Sequence, residues 1–159
     1  MSTRLIGSIG AALVLAAACG AHAHDYRIGQ VRIGHPYAQA TPPGVRNAAA
    51  YARLENTGNE QAVLVAARSD AAERVEIHRS AIEDGVARMR AVEGGVAIAP
   101  GGTVDLAPRS YHIMLFGLKR PLVEGERVRL VLSFEPQGEI GIELAVQALA
   151  PSSPDHSHH

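Results

Sequence analysis

Apolar side chains recur at every second position in the last third of the chain. They alternate with more polar residues over residues 128–134 and again over residues 140–146. A short segment with Pro136 and Gly138 lies between the two runs. An alternation of period two is typical of a strand with one buried face and one solvent face. The pattern therefore predicts an antiparallel hairpin here.

Shorter segments of the same character fill the rest of the chain, separated by Gly, Pro and Asn. They predict strands over residues 26–33, 48–55, 61–68, 73–80, 86–92, 96–99, 103–106 and 111–116. We expect residues 61–68 to return as the hairpin partner of residues 48–55, and His35 to lie in a turn at the surface. Because no segment has helical periodicity, the sequence predicts an all-β sandwich of antiparallel strands.

The N-terminal segment predicts export. A mostly apolar run covers residues 5–18 and is too short to span a bilayer. A small-x-small site follows, so residues 1–23 are interpreted as a signal peptide, with His24 first in the mature protein. A competing interpretation is lipidation at Cys19. Cleavage is favoured because the residue three positions before this cysteine is alanine rather than leucine.

Composition excludes several classes of function. The formal net charge is −1 and Trp is absent, so no nucleic-acid interface is expected. No membrane span is expected either, because the one apolar run is too short. Cys19 is the only cysteine and lies in the predicted signal peptide. The mature chain would then have no disulfide, no redox motif and no thiolate for a blue-copper site. We expect one domain over residues 24–149 and a disordered His-rich tail over residues 150–159.

Two methionines and two histidines lie close together in the sequence. Met89 and Met114 are the only methionines besides Met1, and His78 and His112 lie in the same stretch. Thioether sulfur is a soft donor that suits Cu(I), and imidazole suits copper and zinc. His112 and Met114 alternate on a predicted strand, so they should share a face.

A simpler interpretation remains open for these four residues. Methionines commonly fill gaps in a core, and single histidines commonly lie at the surface. The concentration of all four in one stretch, with no other methionine in the mature chain, favours the metal site.

Several motifs resemble the periplasmic copper chaperones of the PCuAC type. They are Asp84-Gly85 with Arg88-Met89-Arg90, Tyr111 to Leu118, Val75 to His78, Asn56-Thr57-Gly58 and Gly101-Gly102. The similarity extends from about residue 31 to 147. The interval from Met89 to His112 is one residue longer than the usual pattern, and Ala87 stands where many relatives carry a further methionine.

The resemblance implies a cupredoxin-like Greek-key sandwich that binds one Cu(I) through His78, Met89, His112 and Met114. It also implies a periplasmic carrier that delivers copper toward cytochrome c oxidase. The receiving partner would be an oxidase subunit or a thiol-bearing assembly factor. A copper buffer or resistance protein without a dedicated client is the alternative. No set of nucleophile, base and orienting group accompanies the histidines, so an enzyme is not expected.

Further histidines could bind Cu(II). His156, His158 and His159 lie in the tail, and His24 would offer its ring together with the α-amine of the mature N-terminus. Nitrogen donors suit Cu(II) better than thioethers do. A purification tag or a solvated tail is the competing interpretation of the C-terminal group.

Overall fold

The computed structural model describes residues 25–149, all of which form strands, turns and connections without a helix. The predicted signal peptide, Cys19, His24 and the tail at 150–159 lie outside the described residues. No helix within residues 25–149 is long and apolar enough to cross a membrane. The strands are β1 (Tyr26–Ile28), β2 (Val31–Gln39), β3 (Asn47–Asn56), β4 (Ala62–Arg68), β5 (Ala72–Glu83), β6 (Val86–Ala91), β7 (Val96–Ile98), β8 (Thr103–Leu106), β9 (Tyr111–Leu118), β10 (Arg127–Glu135) and β11 (Gly138–Gln147).

The strands form one continuous ladder in the order β6-β5-β9-β8-β3-β2-β11-β10-β4-β7, with β1 beside β2. Neighbouring strands are antiparallel except in the β2–β11 and β8–β9 pairs, which are parallel. The ladder folds over, because β7 at one end contacts β3 without pairing with it. The prediction of an all-β, cupredoxin-like sandwich is confirmed, and the two parallel pairs are an addition to it.

The core lies between the two halves of this ladder and follows the predicted alternation. In β10 the side chains of Val128, Leu130, Leu132 and Phe134 are all buried. β11 pairs with β10 as the predicted hairpin, and its apolar side chains from Ile142 onward are buried at every second position. Burial of this alternating set drives the packing of the two layers, at roughly 25 cal/mol per Å² of apolar surface.

Three expectations about the first half of the chain were wrong. β4 does not pair with β3; it pairs with β10 and β7, so the turn at Asn56–Gly58 carries the chain across to the other half of the ladder. The single strand predicted over residues 26–33 is divided by a turn into β1 and β2. His35 is exposed, as expected, but it lies within β2 at a register shift, with φ of 47°, rather than in a turn.

The β5–β6 hairpin extends beyond the rest of the sheet. β9 pairs with β5 only as far as Arg79, so the hairpin beyond that residue, residues 80–89, has no third strand; we call it the arm. Asp84 and Gly85 form its two-residue loop, with φ of 52° and 77°. Positive φ at both positions is the requirement of a type I′ turn, which Asp-Gly favours. All six residues of β6 are exposed.

Candidate metal centre

The strand register places the four predicted ligands on one face of the sheet. Directly opposed residues share a face, and β5 pairs Glu76 with Met114, His78 with His112, and Ser80 with Met89. Glu76, His78 and Ser80 alternate along β5, so they point the same way. Met114, His112 and Met89 therefore all point to that face as well.

The two histidines lie side by side at the centre of this face. Their ring centroids are 6.0 Å apart. His112 is 4% exposed, and the side chain of His78 is 13% exposed. Both rings are therefore largely covered by the surrounding protein. Two close and largely buried imidazoles are expensive to maintain without partners for their nitrogens.

Each ring has one nitrogen that is hydrogen-bonded and one that is not. The His112 Nδ1–H donates to the Ser110 carbonyl oxygen at 3.1 Å, and the His78 Nε2–H donates to Glu76 Oε2 at 2.8 Å. His112 Nε2 and His78 Nδ1 are buried and have no hydrogen-bond partner among the described residues. A neutral imidazole that donates through one nitrogen presents a lone pair on the other, which is the form that binds a metal.

Glu76 also contacts a second basic group. Its other oxygen, Oε1, pairs with Arg74 Nε at 2.8 Å. The hydrogen bond from His78 is the largest effect on the pKa of the Glu76 carboxyl and holds it below its ordinary value. Burial opposes this shift, and the nearby charge of Arg74 adds a smaller lowering. The carboxylate therefore stays ionised and able to accept from His78 at neutral pH.

The two methionines flank the histidine pair from opposite sides. Met114 is half-buried on β9, two residues beyond His112, whereas Met89 lies on β6 in the arm and is 61% exposed. The register puts the imidazoles between the two sulfurs along a diagonal of the face. An ion held by all four residues would lie over the histidine pair, with the thioethers closing on it from either end.

A tyrosine adjoins the site on the β3 side. Ala49 pairs with Met114, so Tyr51, two residues on, shares the same face. Its ring packs against Tyr37 at 5.1 Å between centroids. Burial raises the pKa of the Tyr51 phenol. The phenol therefore stays protonated at neutral pH and offers no anionic oxygen to an ion.

The donors of this face differ from those of a zinc site. Within residues 25–149, no three His, Cys, Asp or Glu side chains come close enough together to hold a metal ion. Methionine is not one of those types, and it supplies the only further soft donors beside the two imidazoles. His35 lies elsewhere, exposed on β2, in a polar cavity of about 320 Å³ with Asp25 and Arg53.

Sequence reasoning missed the two groups that orient the imidazoles. Each lies two residues before its histidine: Glu76 on the same strand, and Ser110 in the turn just before β9. The placement of Glu76 on the face of His78 could be predicted from alternation. The Ser110 carbonyl could not, because a backbone acceptor leaves no signature in the residue type.

The fold and this arrangement of imidazole and thioether groups define the class of protein, a PCuAC-type domain. Residues 31–146 match the family described as "Putative lipoprotein LpqE-like". The chain therefore belongs to the LpqE-like family. It is 31% identical over 141 residues to the "Putative lipoprotein Lxx21020" of Leifsonia xyli subsp. xyli, covering 84% of each chain.

Solved PCuAC domains have the same fold. A copper-bound PCuAC domain from PmoF2 is 25% identical, with a TM-score of 0.68 over 79% of this chain and 99% of that one. The solution structure of CuI-DR1885 from Deinococcus radiodurans is 30% identical, with a TM-score of 0.60 over 82% of this chain and 85% of that one. The resemblance seen in the sequence motifs is thereby confirmed.

Proposed function

We propose that this protein binds one Cu(I) ion through His78, Met89, His112 and Met114 and carries it outside the cytoplasm. The observation that supports this most directly is the pair of buried ring nitrogens without partners, His78 Nδ1 and His112 Nε2. A bound ion would give both lone pairs a partner. Two neutral imidazoles and two neutral thioethers suit the soft Cu(I) ion.

The arrangement also suits exchange rather than permanent storage. Met89 is 61% exposed on an edge strand, so an incoming protein could displace its sulfur before reaching the buried histidines. Thiolates are stronger ligands for Cu(I) than thioethers, so a thiol-bearing acceptor could take the ion by stepwise replacement. We propose delivery toward cytochrome c oxidase, to an oxidase subunit or a thiol-bearing assembly factor, and the resemblance to PCuAC chaperones supports this direction.

The central experiment is competition for Cu(I) against a chromophoric chelator. The exported protein should retain Cu(I), and substitution of each of the four residues in turn should weaken binding. His35→Ala is the matched control, because this histidine is exposed and lies on β2 away from the pair. Equal affinity in the control and in all four variants would reject the site. Preference for Zn²⁺ over Cu(I) would instead revive an enzymatic role, which we otherwise exclude from the proposal.

Transfer distinguishes a carrier from a buffer. The Cu(I)-loaded protein is mixed with a periplasmic thiol-bearing acceptor, and the copper content of each is measured after separation. A carrier should release its ion to the acceptor faster than to a small-molecule thiol of equal affinity. Equal rates would favour the alternative of a copper buffer or resistance protein.

We further propose a periplasmic location, reached through the signal peptide over residues 1–23. The family and the Leifsonia relative are described as lipoproteins, so Cys19 has to be tested beside the site before His24. The mass of the mature protein separates the two processing routes, since one leaves a lipid on Cys19 and the other removes this cysteine. A protein retained in the cytoplasm with residues 1–23 attached would contradict both.

The tail is proposed to capture Cu(II) through His156, His158 and His159, with His24 as a second Cu(II) site if cleavage exposes it. Nitrogen donors suit this oxidation state. Deleting residues 155–159 should leave Cu(I) affinity unchanged and lower the Cu(II) stoichiometry. An unchanged Cu(II) count would reject a role for the tail.

A further inference from the structure

Four side chains on β5 and β9 form a closed group beside the histidine pair. Glu76 accepts from His78 Nε2 and from Arg74 Nε, both at 2.8 Å. The Arg74 guanidinium lies 4.7 Å from the centroid of the Phe116 ring. The same ring lies 5.6 Å from the His78 ring. The register explains the group, because Arg74 is paired with Phe116 in the row next to Glu76 and Met114.

Glu76 fixes which nitrogen of His78 carries the proton. A carboxylate can only accept, so the ring nitrogen facing it at 2.8 Å must be the protonated one. The lone pair is then left on Nδ1, which is the buried atom without a partner. In water the two neutral tautomers of imidazole interconvert freely, so a fixed acceptor selects one of them.

Arg74 and Phe116 hold the carboxylate in place. Glu76 has two oxygens, and each has one donor, so neither is free to rotate toward the other side of the ring. The guanidinium is in turn kept over Phe116, where the cation is attracted by the ring face. Arg74 and Glu76 are two-thirds and one-third exposed, so their ion pair alone would contribute little; its value lies in orientation.

The two histidines are oriented in different ways. His112 is held by a backbone carbonyl, which no substitution of a side chain can remove. His78 depends on a side chain that can be changed without altering the backbone ladder. This difference makes the role of Glu76 measurable.

We propose that Glu76 is a positioning residue for copper binding: held by Arg74, it fixes the orientation and tautomer of His78 so that Nδ1 is presented to the ion. This inference rests on the proposed function for its copper readout. A carboxylate that accepts from a ligating imidazole also raises the basicity of the ligand, and losing such a partner typically lowers metal affinity by about 10–100-fold.

The test compares Glu76→Leu, Glu76→Gln and Glu73→Leu in the full exported chain. Glu73 is the matched control, since it lies on the same strand, is exposed and pairs with an arginine, Arg46, at 2.8 Å rather than with His78. The tautomer of His78 is read in the copper-free protein by ¹⁵N two-bond correlation. The Cu(I) dissociation constant is read by chelator competition.

We expect Glu76→Leu to change His78 from the Nε2–H form to a mixture of tautomers and to weaken Cu(I) binding by about 10–100-fold. Glu76→Gln keeps one acceptor oxygen for two donors, so both effects should be smaller. Glu73→Leu should change neither. A pure Nε2–H form in Glu76→Leu, or an affinity loss no larger than in Glu73→Leu, would overturn the inference.

The two readouts separate this inference from the proposed function. The tautomer is measured without copper, so a wild-type chain that binds no Cu(I) overturns the copper carrier and leaves the tautomer result to be judged by itself. Unchanged backbone chemical shifts outside β5 and β9 in each variant show that the fold is intact.

Discussion

The β9 strand and the arm hold their donors in opposite ways. β9, which carries His112 and Met114, lies inside the ladder and pairs with β5 on one side and with β3 or β8 on the other, so the strand has partners along both edges. Met89 lies on β6, the edge strand, in a hairpin that has no third strand beyond Arg79. A two-stranded ribbon alone is only marginally stable in water.

In the proposed Cu(I) site, this difference would give the two regions different roles. The β9 donors would be preorganised for the ion, whereas Met89 on the arm would be the donor that joins or leaves it. Preorganised donors favour affinity, and a mobile donor at the edge favours exchange. Substitutions in β9 and in the arm should therefore affect copper binding and stability differently.

The largest effect is expected for His112→Leu. Removing a donor should weaken Cu(I) binding by at least about 100-fold, more than the loss of an outer partner. The free energy of unfolding of the apo protein should stay the same or rise by about 1 kcal/mol, because leucine removes a buried nitrogen that has no partner. The Ser110 carbonyl keeps a second donor, the Ser80 amide.

Chelator competition and urea unfolding measure the two quantities for His112→Leu. Weaker Cu(I) binding together with an unchanged or higher free energy of unfolding would mark a residue that is retained for binding at some cost in stability. A loss of more than about 2 kcal/mol with copper binding unchanged would instead show a histidine that serves the core.

The two methionines provide the direct comparison between β9 and the arm. Met114→Leu and Met89→Leu keep side-chain volume nearly constant, so stability should change by less than about 1.5 kcal/mol for the half-buried Met114 and negligibly for the exposed Met89. Cu(I) affinity should fall by about tenfold or more in both. The loss should be larger for Met114, because binding through Met89 must also order the arm.

Isothermal unfolding and Cu(I) competition on both variants check this order. Unfolding of either variant with copper binding intact would mean that the methionines pack the structure and do not bind the ion. A larger loss of Cu(I) affinity for Met89→Leu than for Met114→Leu would show that the arm is as well ordered as β9.

The turn of the arm can be strained without touching a ligand. Gly85 has φ of 77° and open space where a Cβ would lie, so Gly85→Ala costs about 1 kcal/mol of backbone strain and no clash. We expect Cu(I) affinity to fall a few-fold as the arm frays, with little change in the midpoint of unfolding. Gly125→Ala is the matched control, with φ of 86°, open space and a position in the connection after β9.

Hydrogen exchange of the β5 and β6 amides, with Cu(I) competition, measures the effect of the strained turn. Faster exchange confined to the arm in Gly85→Ala, and absent in Gly125→Ala, is the expected result. Equal loss of affinity in the two variants would remove the arm from the binding step.

Much of the fold was predictable because its signals are local. The alternation in β10 and β11 predicted both their pairing and their buried faces, and the strands predicted over residues 73–80 and 86–92 correspond to β5 and β6. The partner of β4 was not predictable in the same way. Asn56 to Gly58 has the composition of a hairpin turn, but Asn56 is buried and its side chain donates to the carbonyl oxygens of Glu60 and Ile98, which anchors a crossing connection.

The same difference between local and long-range signals applies to the candidate site. Alternation predicted that His112 and Met114 share a face, and the residue types predicted the donor chemistry. The pairing of His78 with His112 depends on the register between β5 and β9, which are separated by a hairpin and two further strands. The near-complete burial of His112 depends on its neighbours across three strands. Neither the register nor the burial can be predicted from a local sequence pattern.

The smallest expected effect is a dependence of the arm on pH. Glu83 pairs with Arg90 across the hairpin at 2.8 Å, and this hydrogen bond is the main cause that lowers the pKa of the Glu83 carboxyl. A carboxyl whose pKa is lower in the folded state stabilises that state above its unfolded pKa, and the contribution is lost as the pH falls through the folded pKa. Exchange of the arm amides should therefore show weaker protection below about pH 4, after correction for intrinsic rates.

Glu83→Gln should abolish this dependence and leave the amides of β9 unaffected. Equal loss of protection in β9 and in the arm on acidification would show that the two regions open together, and the distinction between a fixed and a mobile half of the site would no longer hold.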